Sequence, residues 1–176
     1  MNASPSDRTS DERLSEWVRQ HGRAVRGYVY GVVRDADVAD DVAQEVFRRA
    51  WQARDAYREA GQSRAYLLRI ADRLAVDHLR RTGREVLLDE DGWDRCEPSA
   101  SEEGPLAAAQ HTELLAQLHL ALERLSPPQR RVLLLRYYGN LEFADIARTL
   151  DCPLSTALSH CHRGLQVLRK LLVRSE

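Results

Sequence analysis

Apolar residues recur at helical spacing along two stretches of this chain, and the interval between them carries no such period. In the first stretch Val38, Val42, Val46, Phe47, Ala50 and Trp51 fall every three or four positions, which predicts a helix with those residues inward. Asp35 and Asp37 stand where that helix begins, and short acids both cap a first turn and suit its dipole. Upstream, Thr9 and Glu12 have capping-box spacing and predict a helix starting at about residue 10. After a polar break at Arg58–Gln62, Leu67, Ile70, Ala71 and Leu74 predict a third helix, ending near residue 82.

The second stretch runs from about 106 to 174. Ser126-Pro127-Pro128-Gln129 is a strong helix start, with a cap, a proline in the first turn and Gln129 to complete the box. Tyr137-Tyr138-Gly139-Asn140 reads as its stop. A short helix follows over Glu142–Leu150, then a tight break at Asp151-Cys152-Pro153, then a last helix to about Arg174. In that helix Leu154, Ala157, Leu158, Cys161, Leu165 and Leu168 form the expected buried stripe, and Ser155, Thr156, Ser159, His160, His162 and Arg163 face outward. A short helix, a three- to four-residue turn and a second helix with polar residues at its outer N-terminal end describe a helix-turn-helix. A small helical bundle with no DNA-binding role has the same pattern.

These elements predict an all-α protein of two small domains, 10–83 and 106–174, joined by a linker over 84–105. The linker holds Asp89-Glu90-Asp91-Gly92, Glu97-Pro98-Ser99 and Ser101-Glu102-Glu103-Gly104-Pro105, a solvated and flexible composition. Trp93 stands out there as a lone aromatic that docks on a partner or on its own chain.

The formal net charge of −1 over 176 residues hides an uneven distribution. Residues 7–84 carry a net +3, residues 85–113 a net −8 and residues 114–176 a net +4. Two basic ends around an acidic middle are compatible with a nucleic-acid partner in a way the total is not. Three cysteines, Cys96, Cys152 and Cys161, are too few and odd in number for a disulfide framework, which predicts a reducing, cytoplasmic compartment. The N-terminus lacks the basic-then-apolar order of a secretory signal, and no apolar run approaches the roughly 20 residues of a membrane span.

Chemistry beyond binding finds little support. Cys152, His160, Cys161 and His162 are zinc-ligand types, but Cys161 falls on the apolar stripe, His160 and His162 splay about the helix, and no CxxC pair exists. No Gly-rich phosphate loop or nucleophile–base set is visible. The expectation is a binding protein with no cofactor and no catalytic residues.

Several segments together resemble a known family. Leu125-Ser126-Pro127-Pro128-Gln129-Arg130-Arg131-Val132-Leu133-Leu134-Leu135-Arg136, followed by Glu142-Phe143-Ala144-Asp145-Ile146-Ala147, resembles the C-terminal domain of bacterial sigma-70-type factors. Asp40-Asp41-Val42-Ala43-Gln44-Glu45-Val46-Phe47-Arg48-Arg49-Ala50-Trp51 resembles the family's polymerase-binding helix. Arg64–Ala71 and Leu74–Arg81 resemble its promoter-melting helix. Two such domains in order, joined by a short linker, resemble the extracytoplasmic-function (ECF) group.

The resemblance implies a dissociable subunit of core RNA polymerase, bound to promoter DNA and held by an anti-sigma factor when idle. It implies polymerase binding by Asp41, Gln44, Glu45 and Arg48, which lie on or near one polar helix face; an ordinary solvated face has the same composition. It implies contact with the −10 element by Arg58, Ser63, Arg64, Arg69, Arg73, Arg80 and Arg81. Arg69, Arg73 and Arg80 make a basic stripe able to follow phosphates, with local pairing of Arg73 and Asp77 as the alternative. It implies contact with the −35 element by Arg130, Ser155, Thr156, Ser159, His160, His162 and Arg163. The chain departs from the family at Arg73, Ser63 and Tyr66, and at Ser155, Leu158 and His160 of the recognition helix, so an unusual −35 sequence is expected. An autonomous helix-turn-helix regulator is the nearest alternative, but it leaves the first stretch unexplained.

Overall fold

A computed structural model describes residues 5–54, 62–83 and 117–172, with side chains from residue 12 onward. All regular structure among the described residues is helical. The helices are α1 (Pro5–Val33), α2 (Ala36–Gln52), α3 (Ser63–Thr82), α4 (117–123), α5 (Pro127–Leu133), α6 (Phe143–Leu150) and α7 (Leu154–Leu172). Trp93, Cys96 and the linker lie outside the described residues, as does Arg58.

Helix α1 starts earlier than the Thr9 capping box predicts. It begins at Pro5, whose fixed φ suits a first helical turn, so Thr9 is interior to the helix. Its inward side carries Trp17, Val25, Tyr28, Val29 and Val32. The chain leaves α1 through Arg34 at φ 59° and re-enters helix at once, because the Asp35 side chain accepts from the Val38 N–H at 3.0 Å. The buried stripe of α2 is Ala36, Ala39, Ala43, Val46 and Ala50. Val38, Val42, Phe47 and Trp51, predicted inward, are only half-buried. Small side chains let α2 lie close against α1 and α3, and the larger apolar residues flank that seam.

In the C-terminal half the Gln129 side chain accepts from the Ser126 N–H at 3.2 Å, one arm of the capping box, with Pro127 in the first turn. The predicted stop at Tyr137 is not a simple end. Helix α5 widens into a π-helical turn over Leu134–Tyr138, closed by the Gly139 N–H on the Leu134 carbonyl at 2.8 Å. This turn swings Leu134 and Tyr138 toward α1. Asp151, at φ 51°, ends α6 in the left-handed conformation, and α7 follows as the second member of the helix pair.

The two halves share one hydrophobic core. Helix α1 packs against α5 and the π turn, and α3 packs against α6.

Candidate nucleic-acid and polymerase interfaces

The outer face of α2 presents Asp41, Gln44 and Arg48 as exposed residues and Glu45 as half-buried. Glu45 binds Arg48 at 2.5 Å and Arg49 at 2.7 Å. The hydrogen bond from Arg48, then that from Arg49, holds the Glu45 carboxyl down at about 2. An exposed triad of this kind adds little stability, but it keeps the face charged and ordered. Replacing both Arg48 and Arg49 with alanine is expected to return the Glu45 titration to the ordinary carboxylate range, as read by carboxyl-carbon NMR; an unmoved midpoint would show that the pair does not form.

On α3, Arg73, Arg80 and Arg81 are exposed, and Arg80 lies 3.8 Å from Asp77. Asp77 therefore pairs with Arg80, whereas the spacing of the sequence also allowed a pair with Arg73. Arg69 is half-buried, with a buried Nε that has no hydrogen-bond partner. Ser63 sits 3.0 Å from the ring nitrogen of buried His21. Arg64 is half-buried and donates to the Gly139 carbonyl of the other half at 3.4 Å.

On α7 the polar residues Ser155, Ser159, His162 and Arg163 are exposed along one face, with Thr156 and His160 half-buried beside them. Arg163 reaches back to the Ser159 carbonyl at 3.3 Å, and His162 lies 3.0 Å from Gln166. The predicted buried stripe needs correction. Ala157, Cys161 and Gly164 face the core, whereas Leu154, Leu158 and Leu165 are 48%, 45% and 40% exposed. The core seam falls on the small residues because α5 approaches closely there: a side chain on Gly164 would meet Leu133 at 2.9 Å. Burial raises the Cys161 thiol above its ordinary value, against the opposing influence of Tyr137 and Arg136, so it behaves as a core residue. Arg130 is also placed differently from a free phosphate ligand. Its guanidinium donates to the Leu122 carbonyl at 3.0 Å and the Glu123 carbonyl at 3.2 Å, and burial, then Arg34, lowers it to about 10.

The pattern of Sigma-70 region 2 matches residues 17–85, and that of Sigma-70 region 4 matches residues 115–168. The chain is 31% identical over 153 residues to the ECF RNA polymerase sigma factor SigK of Mycobacterium tuberculosis, covering 84% of this chain and 79% of that one. The chain belongs to the ECF group of sigma-70-type RNA polymerase sigma factors. It is also 29% identical over 161 residues to the RNA polymerase sigma-H factor of Pseudomonas aeruginosa, covering 88% of this chain and 83% of that protein. Its fold matches the sigma factor RpoE of Bartonella quintana, solved with the anti-sigma factor NepR, at a TM-score of 0.71 and 22% identity over 92% of this chain and 97% of that one. As a sigma factor it serves transcription initiation. No helix of the described residues is long and apolar enough to cross a membrane.

One buried polar cluster of this sigma factor has no counterpart among the residues singled out in the sequence. Asp72, in the buried stripe of α3, is 4% exposed at its side chain. Arg131 of α5 grips it with Nε at 2.7 Å and Nη2 at 2.5 Å, and the Tyr28 hydroxyl of α1 donates to it at 2.6 Å. Burial opposes the charge on Arg131, but its hydrogen bonds to Asp72 outweigh this and raise it. The available signal was a carboxylate inside an apolar helical stripe, which demands a buried cation from elsewhere in the chain.

Proposed function

We propose that this sigma factor docks on core RNA polymerase through Asp41, Gln44, Glu45 and Arg48 and melts the −10 element with residues 10–83. Residues 106–174 read the −35 element through α7, and 84–105 joins the two. The observation that carries this reading is the paired layout: an exposed polar face on α2 and an exposed Ser155/Ser159/His162/Arg163 face on α7, in the two segments that match the two sigma regions. At the −10 element the exposed Arg73, Arg80 and Arg81 supply phosphate contacts, and Ser63, Arg64 and Arg69 join them. Arg130 supports the helix-turn-helix from behind. The protein works in the cytoplasm, performs no catalytic step of its own, and is held by an anti-sigma factor; the solved pair of RpoE with NepR supports this last point.

Transcription reconstituted with core polymerase on a genomic fragment library tests the reading. Start sites are expected to cluster downstream of one shared pair of −35 and −10 sequences, and Asp41→Arg with Arg48→Glu to abolish them. Tight, sequence-specific duplex binding by the free protein in about 0.1 M salt, with no polymerase requirement, would instead establish an autonomous regulator.

A further inference from the structure

We propose that His21 of α1 is a positioning residue for promoter opening: its ring sets the Ser63 hydroxyl, in the first turn of α3, to meet a base of the −10 element as that base leaves its pair. The inference rests on the sigma reading above, in which Ser63 belongs to the −10 contacts.

The start of α3 is not fixed by the usual local device. Its N-cap residue Gln62 makes no side-chain hydrogen bond to the first turn. The hold comes from α1 instead. His21 is 7% exposed, and its Nε2 lies 3.0 Å from the Ser63 hydroxyl, 42 positions along the chain. One turn earlier on α1, the buried Trp17 meets Tyr66 edge to face, with ring centroids 6.2 Å apart. Tyr66 stands one turn beyond Ser63 on α3. The same two helix faces thus touch twice: the rings supply apolar adhesion, and the histidine supplies direction.

A histidine is a poor choice for filling space alone. Burying polar ring nitrogens costs free energy unless they are hydrogen-bonded, and an apolar side chain would pack without that cost. What the imidazole adds is a fixed partner for a hydroxyl that otherwise turns freely. A serine hydroxyl has one donor and two acceptor positions. When His21 takes one of them the rotor is set, and the others leave the half-buried Ser63 in defined directions. A base drawn out of its stack presents the edge that its pair had occupied. A hydroxyl already oriented meets that edge without a further ordering cost. His21 acts through Ser63 and, being buried, touches no DNA itself.

Three variants of the full-length protein, assembled with core polymerase, test the role. The probe is a promoter recovered by the fragment-library transcription, together with its single-base changes across the −10 element. Ser63→Ala removes the hydroxyl. His21→Asn is too short to reach it, whereas the amide of His21→Gln stands about where Nε2 stands. Opening is read from a fluorescent adenine analogue in the −10 element. Ser63→Ala and His21→Asn are each expected to slow it by about three- to tenfold, the usual worth of one hydrogen bond, and to lose the preference for a base at one and the same −10 position. The double variant should lose no more than either single one. His21→Gln should restore rate and preference to within about twofold, and affinity for core polymerase should stay unchanged throughout. If His21→Asn fails to fold, His21→Phe, which keeps a ring and lacks the nitrogens, takes its place. A histidine that only supports the fold would slow opening equally on every −10 sequence. That result, a base preference lost in Ser63→Ala but kept in His21→Asn, or a His21→Gln no better than His21→Asn would each overturn the proposal. Normal opening and normal −10 preferences in Ser63→Ala would remove the Ser63 contact and the positioning role together, while leaving the sigma reading in place; no polymerase-dependent start with any form would remove that reading as well.

Discussion

Replacing Asp72 with alanine is expected to lower the stability of the folded chain by about 3–5 kcal/mol, the usual consequence of stranding one member of a buried charge pair. Arg131 is 23% exposed at its side chain and would lose both hydrogen bonds to the carboxylate, and the fully buried Tyr28 would lose its acceptor. The loss falls on the seam between the halves, so thermal unfolding should separate into two transitions, the earlier one well below the wild-type midpoint. A single unshifted transition would mean that the pair is solvated in solution. A pH arm checks the same cluster. Burial, then the charge of Asp72, lifts the Tyr28 phenol well above its ordinary value near 10. A raised folded value means that the folded chain holds this proton more tightly than the unfolded chain does. Its contribution is complete below pH 10 and is lost as the pH climbs beyond it. The wild type should therefore weaken above pH 10 more steeply than Tyr28→Phe, which has no phenol to ionise.

What could be read from the sequence and what could not divides along the range of the interaction. Asp35 at the start of α2 and the Ser126–Gln129 box act within one helical turn, so their residues alone predict them. The helix pair α6–α7 was legible for the same reason: its turn and outer polar residues are local. The phase of a helix is less secure when its apolar arc is wide. In α7 leucines and small residues lie side by side around the inner half, and only the position of α5 decides that Ala157, Cys161 and Gly164 take the core. Helix α2 repeats the case, with a close seam that takes four alanines and Val46 and leaves Val38 and Val42 at its flanks. Asp72 and Arg131 are 59 positions apart, and no spacing rule joins them. Arg130 and Arg131 look equivalent in sequence. One turns to the carbonyls of α4 and its C-terminal end, the other to a carboxylate in the opposite half, and the turn of α5 alone makes that difference. Of the residues proposed for the −10 element, Arg73, Arg80 and Arg81 are exposed, whereas Arg64 is engaged in a hydrogen bond to the other half.

Leu158→Lys is expected to leave the melting temperature nearly unchanged and to strengthen binding to every promoter when tested in the complex with core polymerase. The sequence pattern alone placed Leu158 in the core, where a lysine would be severely destabilising. Its actual exposure of 45% reverses that expectation, because surface substitutions away from the core typically shift stability by no more than about 0.5 kcal/mol. Leu158 sits at the margin of the Ser155/Ser159/His162/Arg163 face, one turn before His162. A cation there gains a phosphate partner and steepens the dependence of log affinity on log salt by about one. Arg163→Ala should do the opposite on every promoter, flattening the slope by about one, since Arg163 is exposed and its guanidinium donates to a backbone carbonyl. Ser159→Ala carries no charge change. It should alter which −35 base pairs are preferred, by roughly 1–3 kcal/mol where the serine hydroxyl bonds a base edge, while leaving the salt slope alone. A salt series on selected −35 libraries separates the three. If Leu158→Lys lowers the melting temperature by several degrees, the leucine is covered in solution by something that the isolated chain does not display. If it leaves both stability and the salt slope unmoved, this edge of α7 points away from the duplex, and the DNA-facing side of the helix must be sought further round toward Arg163.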